Sequence, residues 1–415
     1  MNPSSSSIRE RTFLLTVAGI QFTHILDFMI MMPLGPQLIR ALQIDAHQFG
    51  LLLSSYTFTA AASSLLAATY IDRFDRRRLL LSLYAAFIIA TLACGLAPGY
   101  AFLLVARALA GAFGGILGAM VQTMVADVIP FERRGKAMGV VMAAFSISTV
   151  AGVPLGLLFA NSFPSLGWRA PFFFIVAISS LIWLIGYRKL PSLTAHLQQP
   201  RSGSIAQQLF AVIREPAHLQ AFAFISLIMF AGFTVIPYFA LYTTTNVGLP
   251  DHLLTLVYLC GGAATFFTSQ LIGRLADRHG KLRMYRIVAW LSFIPILIVT
   301  HLGPAPLWLI LFHSTVFFIL VPGRMVSGMA MVTGVPAQSV RGTFMTLLAS
   351  VQMLSSGAAT LLAGLIITQT ADGNIAHYDT VGYLAVACGI ITTWLAGRLR
   401  TPTATPGIAD DAQSR

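Results

Sequence analysis

The chain has 415 residues, of which 56% are hydrophobic and only 10% are charged, and its mean hydropathy is +0.78. An ordinary soluble domain carries about 25% charged residues, so this composition excludes a soluble globular protein and predicts one that lies mostly in lipid. The net charge of +12 does not indicate nucleic-acid binding, because the basic residues lie in short stretches between apolar runs rather than on one surface.

Twelve apolar runs follow one another along the chain. A membrane-spanning helix needs about 20 mostly apolar residues, and lipid admits only helices or closed barrels. The runs are too long for barrel strands of about ten residues, so the sequence predicts an all-α membrane protein with twelve transmembrane helices. The predicted spans are 13–34, 49–70, 79–97, 101–126, 137–160, 170–187, 218–240, 252–273, 284–302, 306–331, 342–369 and 379–397.

The positions of Lys and Arg predict how the chain is oriented in the membrane, because cytoplasmic loops hold an excess of both residues. Placing the N-terminal tail and every even-numbered connection in the cytoplasm puts 22 of the 26 basic residues on that side. Arg40 and Arg169 fall on the opposite side, and Arg107 and Arg324 fall within spans. We therefore expect a multi-pass protein of a bacterial-type inner membrane with both termini in the cytoplasm.

The longest polar connection divides the spans six and six. This connection, 188–216, is rich in Pro, Gly and Ser, a composition typical of a linker. We expect a cytoplasmic linker there, with one six-helix bundle on each side and a short polar tail at each terminus. The predicted segments are a tail of 1–12, a bundle of 13–187, a linker of 188–216, a bundle of 217–398 and a disordered tail of 399–415.

The two halves carry similar charged patterns at a nearly constant spacing. Asp72 follows span two and Asp277 follows span eight, 205 residues later, and each is followed by basic residues. Pro130 and Pro336, after spans four and ten, are 206 residues apart. Such repetition predicts two similar bundles related by a pseudo-two-fold axis along the membrane normal, with a substrate site at their interface.

Several motifs resemble those of one transporter family. Residues 273–281, GRLADRHGK, match the loop signature of the major facilitator superfamily, and residues 68–78 are a first-half copy with Ala68 and Asp75 in place of the usual glycines. Residues 103–111, which include Arg107, resemble the fourth-helix motif of the proton-coupled exporters in that family. GVPLG at 152–156 is similar to a shortened form of the fifth-helix antiporter motif, and GWR at 167–169 adds to the resemblance.

The resemblance implies the major facilitator fold and a place in its twelve-helix drug:proton antiporter-like branch. The expected function is secondary active transport, as proton-coupled efflux of a small amphipathic compound by alternating access. The alternatives are proton- or sodium-coupled uptake, or facilitated efflux, of a sugar or small metabolite.

Only three ionised side chains lie clearly inside predicted spans, namely Asp27, Arg107 and Arg324. A charge at a helix centre in the membrane costs at least about 2.5 to 3.5 kcal/mol, so each is a functional hypothesis. Asp27 and Arg107 are predicted to lie about 10 Å below the outer surface. The family fold places both their helices around a central cavity, so the resemblance implies a pair that binds a proton when the Arg withdraws and releases it when the Arg returns. A permanent buried pair that fixes helix packing is the alternative.

Two histidines are candidates for the same region. His24 lies three residues before Asp27 and therefore on the same helix face, which favours a proton relay, with a hydrogen-bonded packing residue as the alternative. His313 lies 206 residues after Arg107, at the matching place in span ten. This spacing predicts a cavity position for His313 without assigning it a role.

Other residues are predicted to line the substrate cavity. Arg324 lies in the inner third of span ten, where it meets an anionic group of the substrate or extends toward the cytoplasmic surface. Aromatic and Met side chains are candidates for an adaptable apolar pocket, because Met packs around varied shapes. These candidates are Phe28, Met29, Met31, Met32, Phe233, Tyr238, Tyr242 and Phe317.

Charged residues near the inner ends of helices are predicted to form a gate. They are Asp72, Arg73, Arg76, Asp127, Asp277 and Arg278. Asp127, at the inner end of span four, is a candidate partner for Arg73 or Arg76. In the family such contacts latch the inner gate in the outward-open state, while the alternative is that the charges only direct topology.

Other functional classes have no support in the sequence. It contains no His-rich metal spacing and no phosphate-cradling glycine loop, so we expect no enzyme, no cofactor and no direct ATP drive. A channel or receptor is harder to exclude from composition alone, but duplicated halves with latch-like loops favour alternating access. The expected partners are a small-molecule substrate, protons and the lipid bilayer, without nucleic acid, and the chain is expected to act as a monomer.

Overall fold

The structure is a computed structural model that describes residues 3–194, 205–337, 340–370 and 373–399. Twelve helices in these ranges are long and apolar enough to cross a membrane, which confirms the predicted number. The helices of the first half are α1 (Pro3–Ile30), α2 (Gly35–Leu42), α3 (Ala46–Tyr70), α4 (Arg76–Leu96), α5 (Tyr100–Val128), α6 (Phe131–Ile147), α7 (Val153–Ser162) and α8 (Ala170–Lys189).

The second half repeats this order of spans after a short helix in the predicted linker. Its elements are α9 (Ile205–Arg214), α10 (Pro216–Phe233), α11 (Phe239–Thr245), α12 (Leu254–His279), α13 (Lys281–His301), α14 (Leu307–Val332), α15 (Arg341–Ile366), β1 (Thr368–Gln369), β2 (Ile375–Ala376) and α16 (Tyr378–Ala396). The two strands form a small antiparallel hairpin. We call α1–α8 the N-terminal bundle and α10–α16 the C-terminal bundle. The inner end is the one at which α1 begins and α16 ends, and the outer end is opposite.

The first span ends earlier than predicted. Helix α1 stops at Ile30, and the short helix α2 begins at Gly35 with Pro36 in its first turn. Proline lacks a backbone N–H and cannot continue a helix, so Pro33 and Pro36 explain the break. Asp45 then starts α3, since its carboxylate accepts a 2.7 Å hydrogen bond from the backbone N–H of Gln48.

Two further spans are interrupted near prolines. In span five a π turn, Ser148–Gly152, separates α6 from α7 just before Pro154. Span seven breaks after Phe233 and passes through a 3₁₀ turn, Ile236–Tyr238, before α11. Such breaks are tolerated in lipid where neighbouring helices satisfy the freed backbone groups.

The buried apolar residues show which end of the molecule is closed. At the outer end both bundles share one core, in which Phe49 of α3 and Leu38 of α2 join Val257 and Ile367. At the inner end the described residues form a separate core in each bundle. The two bundles therefore share one core at the outer end and have separate cores at the inner end, where Leu65 of α3 still packs against the core of the C-terminal bundle.

Close contacts at two glycines join the bundles near their middle. A Cβ added at Gly262 of α12 would lie 2.7 Å from the carbonyl oxygen of Thr149, in the π turn. A Cβ added at Gly357 of α15 would lie 2.5 Å from Thr57 Oγ1 and 2.8 Å from Phe58 Cε1 of α3. The contact at Gly262 is with backbone, which a larger residue would displace, whereas the contact at Gly357 is with side chains. Both positions bring elements of opposite bundles into direct contact.

Candidate substrate and proton site

A buried ion pair joins α1 to α5. Nη1 of Arg107 donates a 2.7 Å hydrogen bond to Oδ2 of Asp27, and both side chains are 0% exposed. Thr91 of α4 donates a weaker 3.4 Å hydrogen bond to the other carboxylate oxygen. The structure thus brings together the two charges that the sequence placed at equal depth. It seals them from solvent in this conformation, whereas the sequence analysis expected them in an open cavity.

Glycines in α5 place Arg107 against α3. A Cβ added at Gly111 would overlap the carbonyl oxygen of Tyr56, and one at Gly115 would lie 2.5 Å from the carbonyl oxygen of Ala60. The two backbones therefore touch, and the ring of Tyr56 covers the guanidinium of Arg107 at 4.5 Å from the ring centroid. This contact stabilises the positive charge through the face of the ring.

An aromatic stack continues from this pair across the interface between the bundles. Phe28 of α1 stacks on Tyr56 at a centroid distance of 5.4 Å and on Phe233 of α10 at 6.1 Å. Phe28 and Phe233 are both half-buried. Of the predicted pocket residues, these two meet across the interface in this conformation, and they separate the ion pair from the C-terminal bundle.

The two candidate histidines occupy different bundles. His24 lies one helical turn toward the inner end from Asp27, and its Nε2 atom is buried without a hydrogen-bond partner in the described structure. That atom faces α5, because a Cβ added at Gly118 would lie 3.4 Å from it. His313 lies in the first turns of α14, where Arg107 lies in α5, and both of its ring nitrogens are buried without partners among the described residues.

The third intramembrane charge lies inside the C-terminal bundle rather than at a surface. Arg324 of α14 is 2% exposed, and its Nε and Nη2 atoms are buried without hydrogen-bond partners in the described residues. A Cβ added at Gly232 of α10 would lie 3.8 Å from its Nη2 atom. The extension to the cytoplasmic surface that the sequence left open is therefore not what the structure shows.

Two predicted cavity residues are sealed at the outer end instead. Met31 and Tyr238 are each 0% exposed and belong to the core that both bundles share. The Tyr238 hydroxyl lies 3.3 Å from the carbonyl oxygen of Ala46 and 3.1 Å from that of Thr360, so its proton is shared between α3 and α15. Tyr238 closes the outer end in this conformation rather than lining a pocket.

An exposed ion pair reinforces the same closure. Arg40 of α2 donates to the carboxylate of Asp251, in the turn before α12, and so links the two bundles. Exposed pairs of this kind contribute about 1 kcal/mol or less. The main closure of the outer end is the apolar core around Tyr238.

The predicted gate residues are only partly brought together. Nε of Arg76 donates a 3.2 Å hydrogen bond to Asp127, within the N-terminal bundle. Arg73 is exposed, and the side chain of Asp72 lies outside the described residues. Asp277 and Arg278 are exposed in the last turn of α12, which extends past the predicted end of span eight to His279.

Asp75, the departure from the family motif, clamps the start of the linker. Its carboxylate caps α4 by accepting from the backbone N–H of Arg77 at 2.8 Å, and it also accepts from Ser192 Oγ at 2.6 Å and from Leu193 N at 3.3 Å. Partial burial acts to raise the pKa of Asp75, but these hydrogen bonds outweigh it and hold the pKa below its ordinary value. The residue thus has a structural role that glycine cannot supply.

Sequence reasoning missed the neutral side chains that complete the site. Tyr56 and Thr91 contact the ion pair, and Cys94 lies beside the guanidinium. Hydroxyl, aromatic and thiol groups are common in membrane helices and give no signal of their own. The glycines of α5 were the indirect signal, because they show which face of α3 approaches Arg107.

Comparison with known proteins gives a family and a fold. Residues 17–266 match the family described as Major Facilitator Superfamily. A protein of Mannheimia succiniciproducens named as a probable sugar efflux transporter is 27% identical over 233 residues, which are 56% of this chain and 57% of that protein. The chain therefore matches a little over half the length of this curated relative.

Solved structures agree over nearly the whole chain. A bacterial homologue of the human lysosomal transporter Spinster, in an inward-facing and unoccupied conformation, has a TM-score of 0.74 at 18% identity and covers 94% of this chain and 97% of its own. A D-xylose-proton symporter has a TM-score of 0.76 at 16% identity, with coverages of 94% and 98%. At these identities the likeness shows the fold, which is the predicted arrangement of two six-helix bundles.

Proposed function

Because this chain belongs to the Major Facilitator Superfamily, we propose that it is a secondary active transporter that exports a small amphipathic compound in exchange for protons. Members of this family are transporters rather than enzymes. The proposal of proton coupling rests on the Asp27–Arg107 ion pair, which is buried beside the interface of the two bundles.

The carboxyl group of Asp27 has the properties that a proton carrier requires. Removal from water favours the neutral form of a carboxyl group, while a guanidinium at 2.7 Å favours the ionised form. Small movements of Arg107 relative to Asp27 therefore change which form is stable. A group without such opposed influences would hold or release its proton regardless of conformation.

Alternating access supplies the movement. With the outer end closed, the aromatic stack of Tyr56, Phe28 and Phe233 covers the ion pair, and we assign this conformation to the state after proton release. Opening of the outer end separates Phe28 from Phe233 and exposes Asp27 to the outer solution, where it takes up a proton. Return to the present conformation brings Arg107 back and releases that proton to the inner side, while His24 offers a relay on the same helix face.

The remaining predictions follow from this orientation. We propose that the inner end lies in the cytoplasm, in accord with the excess of Lys and Arg there, and that the membrane is a bacterial inner membrane. The segments 1–12, 188–216 and 399–415 are then cytoplasmic, and 13–187 and 217–398 are the two bundles. The inner charges, including Asp72, Arg76 and Asp277, form a latch when the inner ends meet, and the chain acts as a monomer.

A sugar is the second candidate substrate, because the curated relative is named as a probable sugar efflux transporter. Sugars have both hydroxyl groups and an apolar ring face, and the latter packs on aromatic rings such as those of Phe28 and Phe233. Facilitated efflux of a sugar would need no role for Asp27, so the same experiment separates the two candidates.

The test uses purified protein in liposomes that contain a pH-sensitive dye. Lipophilic cations, sugars and metabolites are screened for compounds that drive proton movement, and a sodium gradient replaces the proton gradient in a parallel assay. In Asp27→Asn the amide oxygen still accepts a hydrogen bond from Arg107, but the buried guanidinium loses its counter-charge. We therefore expect a folded protein that unfolds at a lower temperature than the wild type. Uphill transport with proton movement is lost, while exchange of labelled for unlabelled substrate without a gradient continues.

The matched control is Thr91→Val, which removes the 3.4 Å hydrogen bond to Asp27 without changing the charge. We expect this variant to retain proton-coupled transport. If Asp27→Asn still accumulates substrate with the proton stoichiometry of the wild type, the pair is a static packing element and the proposed coupling is wrong.

A further inference from the structure

We propose that Arg324 binds an anionic group of the transported compound, a carboxylate or a phosphate, so that the substrate is a small organic anion with an apolar or ring-shaped face. This inference rests on the proposed function, because it names the substrate class of the same transporter. It assigns a binding residue to the C-terminal bundle, in addition to the Asp27–Arg107 pair of the N-terminal bundle.

The two buried arginines differ in their partners. Arg107 has the carboxylate of Asp27 at 2.7 Å and the ring of Tyr56 over its guanidinium. Among the described residues, no carboxylate oxygen forms an ion pair with Arg324 within an N–O distance of 4.0 Å. Its Nε and Nη2 donors also have no acceptor there. Of these two arginines, one therefore has a neutralising partner among the described residues and the other has none there.

An unbalanced guanidinium is costly at this position. Arginine stays protonated in proteins, so Arg324 cannot escape the cost by losing its proton. Removal of an ion from water costs several kcal/mol, and two unpaired N–H donors add to that cost. Contacts with Gly232 place the guanidinium at α10 inside the bundle, and this excludes relief by extension to the membrane surface. An anion supplied by a ligand removes the cost.

The surroundings indicate what is attached to that anion. Gly232, which lies against the guanidinium, precedes Phe233, and Phe233 stacks on Phe28 across the interface between the bundles. A molecule whose anionic group reaches Arg324 from the interface therefore has its remaining part beside two half-buried aromatic rings. Because Arg107 is already neutralised by Asp27, one negative charge completes the site. An organic cation would meet an uncompensated positive charge here.

The test compares the thermal unfolding of the full-length wild type with that of Arg324→Met in detergent. Methionine has a similar length and no charge, so the variant without ligand should unfold at a higher temperature, by about 2 °C or more. The matched control is Arg107→Met, which leaves Asp27 buried without its partner and should unfold at a lower temperature. If Arg324→Met unfolds at a lower temperature than the wild type, or does not fold, Arg324 has a structural partner and the inference is overturned.

The second part of the test measures binding. The probes are galacturonate and benzoate as organic anions, galactose as the neutral counterpart of galacturonate, and inorganic phosphate as a free anion. We expect at least one organic anion to raise the unfolding temperature of the wild type and to bind Arg324→Met about tenfold or more weakly, with no such difference for galactose. Protection by phosphate alone would identify a site for a free inorganic anion and would overturn the inference. Equal responses of the wild type and Arg324→Met, or no response to any anion, would overturn it too.

These measurements are independent of proton coupling. If the wild type moves protons with its substrate but shows no anion binding that depends on Arg324, the substrate class is wrong and the proposed function stands. If anion binding depends on Arg324 but no compound drives proton movement, the coupling is wrong and the anion site stands.

Discussion

The closure of the outer end depends on a glycine that faces the opposite bundle. In Gly364→Ala the new methyl group would lie 2.5 Å from the Tyr238 hydroxyl oxygen, 3.2 Å from the Ala46 carbonyl oxygen and 3.3 Å from His47 Cα. The hydroxyl oxygen moves only with the whole buried ring of Tyr238, and the two backbone atoms of α3 move only with that helix. We therefore expect Gly364→Ala to favour the conformation in which the outer end is open.

The size of the effect follows from the crowding. Insertion of a methyl group into a packed contact costs about 1 to 3 kcal/mol, which changes the ratio of closed to open conformations by about 5- to 150-fold. Alanine otherwise favours a helix over glycine, so helix stability itself does not fall. The control is Gly139→Ala in α6, where an added Cβ has no atom within 4 Å.

The assay measures the rate at which a membrane-impermeant maleimide labels Ile367→Cys from the outer side. Ile367 is 3% exposed in the closed conformation, and the native residues Cys94, Cys260 and Cys388 are first replaced. We expect faster labelling in Gly364→Ala and an unchanged rate in Gly139→Ala. Equal rates in all three backgrounds would refute the inferred role of this contact.

Two other predictions follow from the contacts at each end of the molecule. Arg40→Gln removes an exposed ion pair whose side chains are 56% and 28% exposed, so labelling of Ile367→Cys should rise by about fivefold at most, and the rise should vanish in high salt. A larger, salt-independent rise would show that the pair dominates closure. Asp75→Ala removes the cap of α4 and the contacts with Ser192 and Leu193, so stability should fall by about 1 kcal/mol, and a protease should cut the start of the linker faster. Folding lowers the pKa of Asp75, so its contribution to stability is fully present above the unfolded pKa of about 3.9 and is lost as the pH falls through the folded pKa. Below the folded pKa, wild type and Asp75→Ala should therefore be equally sensitive to an acid-active protease. A difference that persists at the lowest pH would contradict this account.

Much of the architecture could be predicted because lipid imposes simple rules. The number of spans follows from the lengths of apolar runs, and the pairing of Asp27 with Arg107 was predicted from their equal depth in the family fold. Local breaks were harder to predict. Pro33 and Pro36 end the first span at Ile30, but hydropathy alone extends it to residue 34.

The conformational state could not be predicted from the sequence. A tyrosine at position 238 is equally compatible with the lining of an open cavity and with the closed outer end, because both environments are partly apolar. Its position against Gly364 and Ala46 decides between them, and that position depends on how the two bundles are tilted. The same holds for Asp27, which is sealed with the outer end closed.

The glycine contacts near the middle of the interface have a mechanical consequence. Gly262 lies 8 residues from the outer end of α12 and 17 from its inner end, and Gly357 lies 9 and 16 residues from the corresponding ends of α15. At 1.5 Å per residue, the two lever arms are about 13 Å and 25 Å. Both contacts lie closer to the outer end than to the inner end of their helices. If one bundle rotates relative to the other about a line through these contacts, the inner ends of the helices move roughly twice as far as the outer ends. The opening at the inner end, where α1 begins and α16 ends, is therefore wider than the opening at the outer end.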